Sequence, residues 1–396
     1  MIYKDNTQLL FLLSLPVLYC GVAIYTYLGT FIWDWALNVP FNLYDDISLK
    51  SINESIYALF WASFFYVLGW SFVHFTLPRI SKQKYILINH LQQPVTLGRN
   101  AEYIIILIAI FVPVVFVLSY GFAPLIERTG FLDLSLDRDH GLSKIHAILY
   151  PIAAFGIAFL RKKYISLLLL FLNFLPLFAS SKRGAGIVLV IYAIAVVIRN
   201  RGKINLSNVL MVLLGTYIMI WMLIIRNNEI QGLLSNTYSF FSFDFNLEAF
   251  LLGLNYITSF SVYAFAYTID YLSVDLKPFL VSLSPMPLSF HGGFSAVSAF
   301  SLNANSPIPA VPSVYMMGFG IYAIFFIFLG AISFLISFNL KSSSLLGLAA
   351  ISVFMLAVIL SIQYNLRGFG RLVYLSGFLA VLSHISLRNF RYIRIG

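Results

Sequence analysis

Apolar residues recur along this chain in long unbroken runs separated by short polar breaks. They show neither the strict alternation of a half-buried strand nor the narrow stripe of a surface helix. A helix needs about 20 apolar residues to cross the hydrocarbon core of a bilayer. On that measure the pattern predicts ten spans, at 8–32, 55–77, 101–123, 142–160, 164–181, 184–198, 207–225, 314–337, 345–362 and 372–387. Only helices and closed barrels satisfy their backbone in lipid, and continuous apolar runs do not suit a barrel. The expected fold is an all-α polytopic membrane protein, a single integral membrane domain over 1–396.

One long stretch, 226–313, stands outside these spans and is expected to form a large outer loop carrying amphipathic helices. Within it, 247–270 (LEAFLLGLNYITSFSVYAFAYTID) is long enough to cross. Glu248, Asn255, Ser259 and Tyr263 follow at spacings near four or its multiples, which suggests a polar stripe. We therefore read it as an amphipathic or re-entrant helix at the outer face; a genuine span paired with a half-span in 279–300 is the alternative.

Composition agrees with the pattern. The 396 residues are 60% hydrophobic and 10% charged, against roughly 25% charged in soluble domains. The single cysteine, Cys20, lies in the first span, so no disulfide is expected. The first apolar run, starting near Gln8, is long enough to stay as an anchor, and no cleavable leader is evident. The net charge of +10 is scattered through short loops, which argues against a nucleic-acid partner. With the N-terminus in the cytoplasm, the inner segments hold 15 of the 25 basic residues and only Asp5 and Glu102 of the 15 acids. This is the bias the positive-inside rule describes, and it places both termini in the cytoplasm.

Four arginines run against that bias. Arg183 lies in the turn SSKRGAG (180–186), Arg226 ends the span before the large loop, and Arg367 and Arg371 (QYNLRGFGR) just precede the last span. Interfacial snorkelling accounts for any one of them. Together they form a cationic group at the outer boundary, and the planar guanidinium fork suits phosphate or pyrophosphate oxygens. His291, in SFHGGF, is a candidate general base or sugar ligand, or a loop histidine with no task. Glu248 is a candidate base, or a carboxylate favoured at a helix start. Asp244, Asp270 and Asp275 are weaker candidates of the same kind. The run DLSLDRDHG (133–141) lacks the closing glutamate of a calcium loop and reads as a solvated loop. No nucleotide, zinc or flavin motif is present, so no cofactor and no metal are expected.

These features resemble the Wzy-type oligosaccharide repeat-unit polymerases of bacterial surface polysaccharide pathways, O-antigen polymerases among them. The resemblance rests on the many spans, on the outer turn SSKRGAG, similar to the family's Ser-Arg-Gly motif, and on Arg226 at the loop entry. The exit PSVYMMGFGIYAIFF (312–326) is similar to the family's proline-to-glycine entry into the next span. The resemblance implies a GT-C-like inner-membrane glycosyltransferase acting at the periplasmic face on undecaprenyl-pyrophosphate-linked oligosaccharides, among membrane lipids and with a chain-length regulator protein as a further partner. Arg183, Arg226, Arg367 and Arg371 are then expected to hold the pyrophosphate, and Arg226, Glu248 and His291 to take part in catalysis. O-antigen ligases have a similar plan, with a histidine in the large loop. A ligase, or a lipid-linked oligosaccharide flippase that is no enzyme, are the alternative readings.

Overall fold

The computed structural model describes residues 6–36, 47–80, 97–129, 140–200, 203–226, 228–242, 247–273, 275–286, 288–291, 301–303, 306–337, 345–362 and 364–393. Among these the chain is almost entirely helical. In order come α1 (Asn6–Tyr27), α2 (Leu49–Ile80), α3 (Arg99–Tyr120), α4 (Ala123–Ile126), α5 (His140–Ile157), α6 (Lys163–Ala179), α7 (Gly184–Arg199) and α8 (Leu206–Ile225). After them come α9 (Leu233–Phe241), α10 (Leu247–Ile257), α11 (Ser259–Tyr271), α12 (Leu276–Leu283), α13 (Ala310–Tyr315), α14 (Phe319–Ser337), α15 (Leu345–Leu360) and α16 (Leu366–Ile393). Two small antiparallel ladders complete the set, β1 (Arg128–Thr129) with β2 (Ile230–Gln231) and β3 (Ser301–Asn303) with β4 (Ser306–Pro307).

Six helical segments are long and apolar enough to cross a membrane: Leu15–Ile32, Leu49–Thr76, Arg99–Tyr120, Leu206–Ile225, Phe319–Ser337 and Leu366–Ser383. The pair α10–α11, bent by 51°, makes a seventh if it is one span, and four shorter apolar helices (α5, α6, α7 and α15) accompany them. The architecture is that of an all-α polytopic membrane protein. Its outward residues are large and apolar, for example Phe72, Phe75, Leu107, Leu118 and Ile324, which suits lipid and not water.

The chain divides into two compact units. One comprises Met1–Gln92, Leu254–Lys341 and Val353–Gly396, the other Gln93–Gly253 and Ser342–Ser352. In the first unit α2 packs on α14 at backbone distance. A Cβ on Gly69 would stand 1.9 Å from the Ile327 carbonyl oxygen, and one on Gly330 would stand 2.0 Å from that of Tyr66. Small residues permit such contact where no hydrophobic force drives helices together. Tyr19, Tyr322 and Phe326 fill the interior, with Tyr19 donating to Ser361 Oγ at 2.8 Å and Tyr322 to the Ala58 carbonyl at 2.6 Å.

The stretch 247–270 departs from the expected amphipathic helix. It breaks at Thr258, and α11 is buried on every face from Ser259 to Ala266. The polar side chains of α10 and α11 meet α1 and its continuation over Leu28–Ile32. Tyr25 donates to Asn255 Oδ1 at 2.7 Å, Thr26 to Ser259 Oγ at 3.3 Å, and Thr30 shares a 2.8 Å bond with Tyr263. These pairs advance together along both chains, so α11 runs in the direction of α1. The row ends at the start of α2, where Asp270 accepts from Ser48 N at 3.0 Å and Ser51 Oγ at 2.5 Å. A helix that is half polar by sequence is thus an interior one, because hydrogen bonds across helices satisfy its polar groups.

In the second unit, α6 and α7 form the tight hairpin that the short runs predict. Gly186 meets Gly215 of α8, where a Cβ would lie 2.2 Å from the Gly215 carbonyl oxygen. Asn173 Nδ2 ties α6 to the Ala109 carbonyl of α3 at 3.0 Å. At the far end of α7, Arg199 Nη1 donates to the Ala158 and Leu160 carbonyls at 2.8 and 3.0 Å. Arg161 pairs there with Glu102 at 3.5 Å.

Candidate active site

Among the described residues, each unit brings some of the candidate arginines together, in different ways. In the second unit they gather at the α6–α7 turn. Ser181 takes a left-handed backbone (φ 52°), which lets four residues reverse the chain between two helices. Arg226, the residue after α8, donates from Nε to the Ser181 carbonyl at 3.1 Å. Asn236 of α9 donates from Nδ2 to the Phe178 and Ala179 carbonyls and to Ser181 Oγ, at 2.8, 3.2 and 3.1 Å. Gln231 Nε2 returns to the Arg226 carbonyl at 2.9 Å. The turn is therefore held directly by two side chains, Arg226 and Asn236, and Gln231 steadies the first of them.

Arg183 stands half-exposed at the residue before α7. Beside it, the Lys182 ammonium lies 3.5 Å from the centre of the Tyr120 ring and 5.3 Å from that of Phe116. Cations at a helix N-terminus oppose the macrodipole, so local helix stability does not explain Lys182 and Arg183. Arg226, at a C-terminus, is favoured by the same dipole. The sequence signal here was the arginine in a Gly-rich turn; Asn236, which holds the turn, and Gln231, which steadies Arg226, carried no signal before folding.

In the first unit the cluster lies at the start of α16. The apolar pattern suggested a span from 372, with both arginines before it. The helix in fact begins at Leu366, because Asn365 Oδ1 accepts the Gly368 N–H at 2.7 Å and caps it. Arg367 and Arg371 thus lie within α16, one turn apart. Arg367 is only 7% exposed. Its Nη1 donates to the Val281 carbonyl at 2.6 Å and its Nη2 to that of Met286. It closes the C-terminal end of α12, adding a second donor to the Val281 carbonyl, which also accepts the Ser284 N–H at 3.2 Å. Tyr374 donates to the Leu283 carbonyl at 2.6 Å in the same place.

Arg371 differs from its neighbour. It is exposed, and its contact with the Met286 carbonyl is long, at 3.5 Å. Neither arginine has a carboxylate within ion-pair distance among the described residues. His291 joins the cluster through Ser284: its Nε2 lies 3.0 Å from Ser284 Oγ, which also accepts the Met286 N–H at 3.2 Å.

Of the six candidate residues, the structure gathers His291, Arg367 and Arg371 around Ser284–Met286, and Arg183 and Arg226 around the Ser181 turn. Glu248 stands exposed in the first turn of α10, with no hydrogen bond or ion pair to another described residue. Asp275 is exposed at the residue before α12. Asp244, Gly292, Gly293 and the run 133–139 lie outside the described residues. Comparison with protein-family models, with curated proteins and with solved structures returned no match.

Proposed function

We propose that this protein is an integral-membrane glycosyltransferase that polymerises undecaprenyl-pyrophosphate-linked oligosaccharide repeat units at the periplasmic face of a bacterial inner membrane. The observation that carries the proposal is Arg371. It is an exposed guanidinium near the start of α16, whose segment Leu366–Ser383 is apolar enough to cross a membrane, it has no acidic partner among the described residues, and it is backed by a buried arginine and a histidine. An uncompensated cation in such an apolar chain calls for an anionic ligand. A lipid-linked pyrophosphate supplies one at that depth.

In this reading the four shorter apolar helices cross beside the six long ones, which makes ten crossings. The segment between α8 and α14 is then re-entrant. At its start, Asn236 holds the outer α6–α7 turn, while Phe240 packs deeper on Tyr217 and Trp221. At its end, α11 runs beside α1 and returns at Asp270 to the start of α2. The basic loops favour the topology in which α10–α11 does not invert the later spans. Both termini remain cytoplasmic, as the basic loops require.

In the reaction, the hydroxyl of an incoming lipid-linked unit attacks the anomeric carbon of the lipid-linked chain, and the lipid pyrophosphate leaves. Negative charge builds on the departing oxygen, where fixed cations lower the barrier most. Arg371 is the residue for that role in the first unit, and Arg183 and Arg226 are the cations suited to pyrophosphate in the second. His291 and Glu248 are the sequence candidates for the base. Arg367 contributes by holding α12 and the Ser284–Met286 turn in place.

Deletion of the gene tests the class. Loss of a polymerase leaves single-unit glycan at the cell surface. Loss of a ligase leaves none on lipid A, and loss of a flippase leaves neither polymer nor single units there. A single-unit band supports the proposal, and either other pattern overturns it.

A further inference from the structure

Glu54 ties α2 to α13 through one of its carboxylate oxygens only. It lies in the second turn of α2, inside an apolar stretch, Leu49–Thr76, long enough to span. An ionisable group in such a stretch is costly and marks function by default. It is half-buried, and Tyr315 donates to its Oε1 at 2.7 Å. Among the described residues, no hydrogen bond reaches its second oxygen and no basic side chain lies within ion-pair distance. Nearby Asp270 is the opposite case, since both its oxygens are engaged by Ser48 and Ser51.

Tyr315 is itself fixed. Its ring meets Phe265 and Tyr322 edge-on, at 5.1 and 5.3 Å between centroids. It ends α13, whose first residue, Ala310, donates from its backbone N to the Tyr364 carbonyl at 2.9 Å. Pro309 bridges Asn365, the cap of α16. A helix of six residues, about 9 Å long at 1.5 Å per residue, thus links the carboxylate–phenol pair to the end of α16 that carries Arg367 and Arg371. All of this lies within one unit.

We propose that Glu54 is the catalytic base of the glycosyl transfer and that Tyr315 positions it; this rests on the glycosyltransferase reading above. The acceptor oxygen forms its bond to the anomeric carbon and its proton passes to the second oxygen of Glu54. The anomeric C–O bond to the pyrophosphate breaks, and its electron pair leaves on the phosphate oxygen. A general base needs one open lone pair in a fixed orientation. Among the described residues Glu54 offers it on its second oxygen, whereas His291 Nε2 meets Ser284 and Glu248 has no anchor.

The test compares wild type with Glu54→Gln, Glu54→Asp, Glu54→Ala and Tyr315→Phe, each checked for folding by its melting curve. The substrate is lipid-linked repeat units extracted from cells lacking this protein. Glu54→Gln is expected to lose about 10²–10⁴-fold in kcat with KM within about threefold. Glu54→Asp retains part of the rate, and formate restores turnover to Glu54→Ala. Tyr315→Phe lowers kcat with KM unchanged, and decides the matter if the Glu54 variants do not fold. A wild type that polymerises beside an equally active Glu54→Gln overturns this assignment alone, as does a lost rate that formate cannot restore. A wild type that makes no polymer overturns the glycosyltransferase reading, and the assignment with it.

Discussion

Arg367 donates from Nη1 to the Val281 carbonyl at 2.6 Å, so this buried guanidinium closes the end of α12. Arg371, one turn further, is exposed. Neighbours of the same type should therefore fail in different ways. Arg367→Ala removes the closer side-chain donor to the Met286 carbonyl and one of two donors to that of Val281, and is expected to cost about 1–3 kcal/mol of stability. Arg371→Ala should change stability by no more than about 0.5 kcal/mol, yet reduce polymerisation about 10²-fold or more. Melting in detergent and a polymer ladder measure the two effects. A reversed order would contradict the division of labour.

Arg226 combines both kinds of role, because its Nε holds the Ser181 carbonyl while its charge lies at the turn that carries Lys182 and Arg183. Arg226→Ala is expected to insert in the membrane, lose about 1–2 kcal/mol of stability, and make no polymer. Arg226→Lys should fare little better, since an ammonium has no planar fork. Chain lengths equal to wild type in either variant would remove the residue from the reaction.

The row of bonds between α1 and α11 should be individually weak. Thr30 and Tyr263 share a buried 2.8 Å bond. Thr30→Val and Tyr263→Phe, with the double variant, should give a coupling of about 0.6 kcal/mol and no more than about 1.7. A coupling near zero would mean that packing alone sets the course of α11.

The apolar runs were enough to read the helices, since a span needs little beyond length and hydrophobicity. The SSKRGAG turn was also legible, because glycine, serine and charge interrupt an apolar hairpin at one point only. Polar positions were harder. Asn255, Ser259 and Tyr263 have the spacing of a wet stripe, but their partners are side chains of α1 and its continuation, more than 200 residues away. Periodicity cannot tell a stripe that meets water from one that meets another helix. The early start of α16 escaped notice because two glycines and two arginines weaken the apolar signal where Asn365 caps the helix. Glu54 carried no signal in the sequence, because its partner Tyr315 is 261 positions away.

The most direct measurement incubates the purified protein in lipid with lipid-linked repeat units, without added nucleotide and with a chelator present, and resolves the products on a gel. The account predicts a ladder of lengthening glycans, driven by the pyrophosphate bond and lost in Arg371→Ala. A single unchanged band from folded wild-type protein would contradict it.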